Sequence, residues 1–460
     1  MQIALDQESK MSLFSREYRS LSIGAVGLCS MIAFEAIGVA AGMPAVAAAL
    51  DGMALYALAF AATLAGSVVA MVWAGRDCDR HGPLRSMAIG MACFALGLLL
   101  AGLADSMAIL VAGRLIQGLG VGALGVALYV STARALPASL HPRLFALFSS
   151  AWVVPAVIGP AISGWIVEQF GWRWLFLGIL LLLLPTAALV LPPLRGETEP
   201  APATRRSSKV LPWAALASIG SVALSISAYA GKLTVPLVLA SLGAVAVSAL
   251  RLLPAGTLKL ARGLPAAIAL RGLNASAFFL SEAFVPLWLH QQRGWSISAA
   301  GLALTGGAVC WSLGSHLQSR MSSDATRATW LGRGCLMMLV GIAICLATVL
   351  RALPETSMLF GWSLTGLGMG VSFPMLGVLT LRLAPRDHQG NYSSALQLSA
   401  ALCTSSALAS GGLVFSLLQG QWPTPAFAGI FTLAALIATL SWRSVRRTLA
   451  HDPAQARSAG

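Results

Sequence analysis

The sequence predicts an all-α polytopic membrane protein arranged as six helices, then two, then six again. Three observations predict it. Apolar runs long enough to cross a bilayer recur along all 460 residues, and 57% of the chain is hydrophobic while only 10% is charged, against about a quarter charged in a soluble domain. The runs are continuous rather than alternating, which argues against a membrane β-barrel. The basic residues switch from one end of the runs to the other in step with the helix count.

Residues 1–20 are polar and of mixed charge, and no cleavable signal peptide is read in them. Spans are expected at about 21–41, 54–74, 86–104, 107–131, 145–168 and 174–193, so that 21–193 form a first six-helix bundle. A polar, Pro-containing linker, 194–211, carries Arg195, Arg205, Arg206 and Lys209. Spans at about 212–231 and 233–251 make an extra hairpin, and a second linker covers 252–263. The second bundle, 264–443, has spans at about 264–290, 297–318, 331–350, 357–381, 391–418 and 424–443, and 444–460 form a tail. With the first segment on the cytoplasmic side, 24 of the 30 Lys and Arg fall on that face and 4 on the other, leaving Arg114 and Arg271 inside spans. A net charge of +14 therefore sets orientation, with both termini cytoplasmic, and does not point to a nucleic-acid partner.

Three charged residues inside the spans carry the functional reading. Arg114 lies in the fourth span, and an arginine at that depth needs a partner or an aqueous cavity. Gly113, Gly118, Gly120, Gly122 and Gly125 give the same helix a thin face for close neighbours. Of the 16 acidic residues, Glu35 in the first span and Glu282 in the first span of the second bundle lie in apolar surroundings. Their settings, Phe34-Glu-Ala-Ile37 and Ser281-Glu-Ala-Phe284, match across the two halves, as a parallel repeat about the membrane normal would produce. Glu35 lies about 9 Å and Arg114 about 10 Å from the outer ends of their spans, so the two can meet. Either the pair is a static brace, or Glu35 is a carboxylate that exchanges a proton as its hydration changes. Glu282 is read the same two ways, with Arg271 about 16 Å away along its own helix.

At this point the residues resemble a family. Gly75-Arg-Asp-Cys-Asp-Arg-His-Gly-Pro-Leu-Arg85 resembles the loop signature between the second and third helices of the major facilitator superfamily, at Gly75, Asp79, Arg80, Gly82 and Arg85. Glycine permits a tight turn there, Asp79 is placed to cap the next helix, and the arginines suit an anionic inner surface. Asp77, Cys78 and Pro83 depart from that signature, and the matching second-half loop, Ser319-Arg-Met-Ser-Ser-Asp324, is degraded. The fourth-helix run from Leu110 to Ala123 is similar to the family's motif there. Pro155, Gly159, Pro160 and Gly164 resemble the fifth-helix motif of its antiporter branch, and Gly171-Trp-Arg-Trp-Leu-Phe176 the start of the sixth helix in drug exporters. The six-two-six plan is similar to the fourteen-helix drug:proton antiporters. That resemblance implies two bundles around a central cavity, alternating access, and proton-driven export from a bacterial inner membrane. It implies proton coupling by Glu35 and a latch at Asp79 and Arg85.

Phe34, Trp152, Phe278, Phe279, Trp288 and Trp311 are candidates to line an apolar substrate cavity, with packing or lipid contact as the plain alternative for each. Trp172, Trp174, Trp295 and Trp422 suit an interfacial belt. The seven cysteines are scattered without metal or redox spacing. No Gly-x-x-x-x-Gly-Lys phosphate loop, nucleophile elbow or zinc pattern is read, so the expectation is no enzyme, no metal and no cofactor, with the proton gradient as energy source. The expected partners are small amphiphilic molecules, protons and membrane lipids, with no obligate protein partner. An exporter of one metabolite or a lipid or lysolipid transporter is the alternative within the class, and a transport-silent membrane sensor or scaffold the alternative outside it.

Overall fold

The structure is a computed structural model that describes residues 13–16, 18–137, 140–196, 210–319, 324–384, 389–418 and 423–448. Arg205, Arg206, Lys209, Arg320, Arg386 and Trp422, and most of the 1–20 and 444–460 segments, lie outside those residues. The described residues form fourteen α-helices and no strand. The first six are α1 (Arg19–Ala49), α2 (Tyr56–His81), α3 (Pro83–Gly102), α4 (Met107–Ala135), α5 (His141–Phe170) and α6 (Trp174–Val190). The hairpin is α7 (Val210–Ile226) and α8 (Thr234–Leu252). The last six are α9 (Leu264–Arg293), α10 (Ile297–Ser319), α11 (Asp324–Val349), α12 (Ser357–Leu383), α13 (Gln389–Leu418) and α14 (Pro423–Thr448). Thirteen of them, all but α5, are long and apolar enough among the described residues to cross a membrane.

The two sets of six pair internally in one pattern. In the first, α4 packs on α2 and α3, α1 on α5 and α6, and α3 on α6. In the second, α12 packs on α10 and α11, α9 on α13 and α14, and α11 on α14. Adding eight to each helix number converts one scheme into the other, which is the geometry of a parallel repeat. Between the sets, α2 meets α13 and α5 meets α10.

Several helices run further than hydropathy suggests, because a helix keeps its own backbone hydrogen bonds past the apolar region. α1 continues through Pro44 to Ala49, and α2 continues through the Gly75–His81 stretch. The expected loop between the second and third helices is therefore a corner. Gly82, at φ +79, is the single residue between α2 and α3, and Pro83 opens α3. Asp79 does not cap α3: the cap residue is Gly82, and no side chain bonds there.

The hairpin lies outside both sets, against α2 and α13. Ser218 Oγ on α7 donates to Ala65 O on α2 at 2.6 Å. Ala214, Ala217, Ala249 and Leu253 of the hairpin share one apolar cluster with Val68 of α2 and Ala401 and Leu402 of α13. The hairpin thus touches both halves where they meet.

Candidate functional site

The centre of the first six helices is built where α1, α2 and α4 cross. α2 and α4 approach closely because the chain supplies glycine at their contacts: a Cβ on Gly118 would meet the backbone of Thr63, and one on Gly122 the backbone of Ser67. That approach brings Arg114 against both neighbours. Its Nη1 donates to Glu35 Oε1 of α1 and, at 2.8 Å, to Gln117 Oε1 one turn along α4. Its Nε donates to Ala59 O of α2 at 3.2 Å. Glu35 is 2% exposed, Arg114 3% and Gln117 0%. The guanidinium is thus held by one carboxylate and two neutral acceptors, with water excluded. In a site this dry, removing one charge leaves the other uncompensated, at a cost of about 3–5 kcal/mol.

The sequence brings these two residues to one level for a reason the structure revises. Glu35 sits roughly 14 residues, or 21 Å, from the end of α1 at Ala49 rather than six. It lies near the middle of a long helix, and the pair is a mid-bundle pair.

The second set repeats the scaffold without the pair. Gly113-Arg-Leu-Ile-Gln-Gly-Leu-Gly-Val-Gly122 in α4 recurs as Gly361-Trp-Ser-Leu-Thr-Gly-Leu-Gly-Met-Gly370 in α12. The glycine contacts recur with it, Gly366 on the backbone of Gly307 and Gly370 on that of Trp311. Trp362 therefore stands where Arg114 does in the first set, fully buried and with its ring 4.8 Å from that of Phe278. Glu282, half-buried on α9, has no hydrogen-bond or ion-pair partner among the described residues. This repeat is legible in the sequence and is the signal that separates the two glutamates.

The aromatic candidates divide in two. Phe278 and Trp288 are buried, so they are packing side chains rather than cavity lining, and Arg293 lies over the Trp288 ring at 4.9 Å. Phe34, Phe279 and Trp311 are half-buried, and Trp152 is 45% exposed. Phe278, Phe279, Trp311 and Phe373 form a continuous stack with ring centroids 4.9–6.4 Å apart along it. Phe34 lies beside Gly159 of α5.

The antiporter-type motif on α5 forms part of the junction between the halves. A Cβ on Gly164 would fall 2.5 Å from Ser298 Cα of α10, and Gly301 of α10 approaches Pro160 O. Thr305 Oγ1 donates to Val157 O at 3.2 Å, and Glu168 Oε1 accepts from Ser298 N at 3.0 Å. On the other side of the molecule, Ser405 Oγ and Ser416 Oγ of α13 donate to Ala61 O and Ala54 O, at 3.2 and 3.0 Å. Tyr56 Oη of α2 donates to Ala283 O of α9 at 2.5 Å. These bonds lie toward the end of the bundle opposite the linkers and the chain termini.

At the other end, the expected latch is differently wired. Asp77, a departure from the signature, is the acid that is held: Ser86 Oγ donates to its Oδ2 at 2.8 Å, His81 Nδ1 is 2.9 Å from its Oδ1, and Arg85 Nε is 3.7 Å away. Asp79 is half-buried, Arg80 is exposed, and Gly75 lies within α2. His81 four residues after Asp77 on one helix was the available signal, since that spacing puts both on one face.

The comparisons with known proteins agree with this architecture. Residues 23–350 match the family model described as Major Facilitator Superfamily. A probable multidrug-efflux transporter of Mycobacterium tuberculosis is 30% identical over 355 residues, covering 73% of this chain and 74% of that protein. The multidrug resistance protein MdtL of Escherichia coli is 31% identical over 169 residues, 35% of this chain and 42% of that one. Among solved structures, a D-xylose-proton symporter superposes with a TM-score of 0.68 at 14% identity, covering 94% of this chain and 99% of that one. A POT family transporter in complex with 5-aminolevulinic acid gives 0.68 at 15%, covering 95% and 98%; at such identities the likeness is one of fold. The chain belongs to the major facilitator superfamily and is a multi-pass membrane transporter.

Proposed function

We propose that this transporter exports amphiphilic compounds, drugs among them, in exchange for protons across a bacterial inner membrane, with Glu35 as the proton-carrying group. The observation that carries the reading is the Glu35–Arg114–Gln117 centre, a carboxylate and a guanidinium held together in the dry middle of the first bundle. A charged pair is an expensive way to join α1 to an α4 that already packs on α2 and α3 through glycine. It is a sound way to hold a proton acceptor whose affinity depends on whether Arg114 faces it. If the basic loops face the cytoplasm, as the positive-inside pattern reads, the bonded end of the molecule is the outer one. Support for the substrate class comes from the half-buried aromatic stack and from relatives named for multidrug efflux and multidrug resistance.

The test is transport by purified protein in liposomes with an imposed pH gradient and a panel of charged and neutral dyes. Movement of at least one amphiphilic dye that follows the gradient and collapses with a protonophore is the expected result. Dye movement indifferent to the gradient overturns the coupling, and no movement of any dye overturns the substrate class.

A further inference from the structure

The second bundle contains a buried cation that the first bundle's logic leaves without a counter-charge. Arg271 on α9 is 9% exposed. Its Nη1 donates to Phe373 O of α12, its Nη2 reaches Gln397 Oε1 of α13 at 3.4 Å, and its guanidinium lies over the Phe373 ring at 3.1 Å. Its Nε is buried with no partner. No carboxylate among the described residues pairs with it. Glu282, eleven residues along the same helix, shares its face but stands about 16 Å away. A guanidinium carries five N–H donors and cannot shed its charge. Arg114 meets a carboxylate; among the described residues Arg271 meets only a carbonyl, an amide and a ring.

The surroundings indicate what completes it. Gln397 is exposed and Phe373 half-buried, so the guanidinium borders accessible space through them. From Phe373 the stack leads on to Trp311 at 5.7 Å and from Trp311 to Phe279 at 6.4 Å, both half-buried. A cationic fork at one end of an aromatic strip suits a molecule with an anionic head and an apolar body.

We propose that Arg271 is the head-group site for an anionic amphiphile, carboxylate, sulfonate or phosphate, whose apolar part lies along Phe373, Trp311 and Phe279. This deepens the amphiphile-export reading and rests on it. The anion comes either from a transported solute or from an anionic phospholipid, and the test separates the two. Wild type, Arg271→Gln and Arg271→Lys are placed in liposomes of phosphatidylcholine under a pH gradient. Transport of anilinonaphthalene sulfonate is compared with that of rhodamine 6G, a cation. Wild type is expected to move the sulfonate dye. Arg271→Gln is expected to raise its KM about tenfold while the rhodamine KM stays within about twofold, and Arg271→Lys to recover part of the loss. If the variants do not fold, wild type alone decides: decanesulfonate competes with the sulfonate dye and decyltrimethylammonium does not. Adding phosphatidylglycerol raises the sulfonate KM if lipid head groups occupy the site, and leaves it unchanged if the ligand is the solute. Rhodamine transport with no sulfonate transport overturns this inference alone. Equal losses for both dyes in folded Arg271→Gln, or equal competition by both decyl ions, also overturn it. Transport of neither dye by wild type removes the amphiphile reading as well.

Discussion

Glu35 and Arg114 meet where neither has water to fall back on. Replacing Arg114 by Gln strips Glu35 of its counter-charge, and the expected loss is about 3–5 kcal/mol of stability at neutral pH. Adding Glu35→Gln removes the stranded charge, so the double variant is expected to melt above Arg114→Gln alone. Thermal melting of the four proteins of this cycle checks it, and additive losses would show that the two side chains do not interact. Asp77 is the second residue whose partners invite a test. Asp77→Asn keeps the shape but weakens the bonds from Ser86 and His81 and the approach of Arg85, for an expected cost of about 1–3 kcal/mol. Asp79→Asn, with no side-chain bond described at its carboxylate, is expected to melt close to wild type. The pair at Glu35 was legible in the sequence because charge is rare enough in an apolar run to single out each residue. Asp77 was not singled out: its i,i+4 spacing to His81 counts only if the helix runs through that polar stretch, and only the fold shows that Ser86 reaches it.

At the scale of elements, glycine decides where helices touch. The α5–α10 crossing rests on Gly164 against the Ser298 backbone. A leucine at 164 cannot fit without moving α10, because the contact on the other side is main chain. Gly164→Leu is expected to leave the protein folded, open the bonded end, and reduce transport at least about tenfold. Labelling of a cysteine introduced at Ser298 by a membrane-impermeant maleimide checks it, with faster labelling expected than in the Gly164 parent. The number and order of helices were legible because each apolar run is the length of a bilayer. Their ends were not: α1 runs through Pro44 and α2 through Arg76 and Asp77, since a helix ends where its backbone bonds can be replaced, not where its side chains turn polar. The acid-free hairpin's place outside the other twelve helices was legible, but the seam it packs on was not. Its small residues, Ser218 and Ala217 among them, fit several helix faces, and only the assembled seam between α2 and α13 selects one.

At the scale of the molecule, the two halves are joined through bonds at one end, and the hairpin spans the seam beside them. Alternating access requires those bonds to break while others form at the opposite end. Cysteines at Ala54 and Ser416, whose parent residues are bonded at 3.0 Å, are expected to cross-link efficiently and to stop transport, and cleaving the link is expected to restore it. The central claim is that a proton on Glu35 drives this exchange of states. The most direct measurement is a paired assay of Glu35→Gln in liposomes, comparing accumulation of a transported dye driven by a pH gradient with exchange of the same dye at equal pH. The account predicts that gradient-driven accumulation is lost while exchange persists near the wild-type rate, because the protein still binds and turns over but no longer carries a proton. Accumulation by Glu35→Gln at the wild-type level under the same gradient would contradict it.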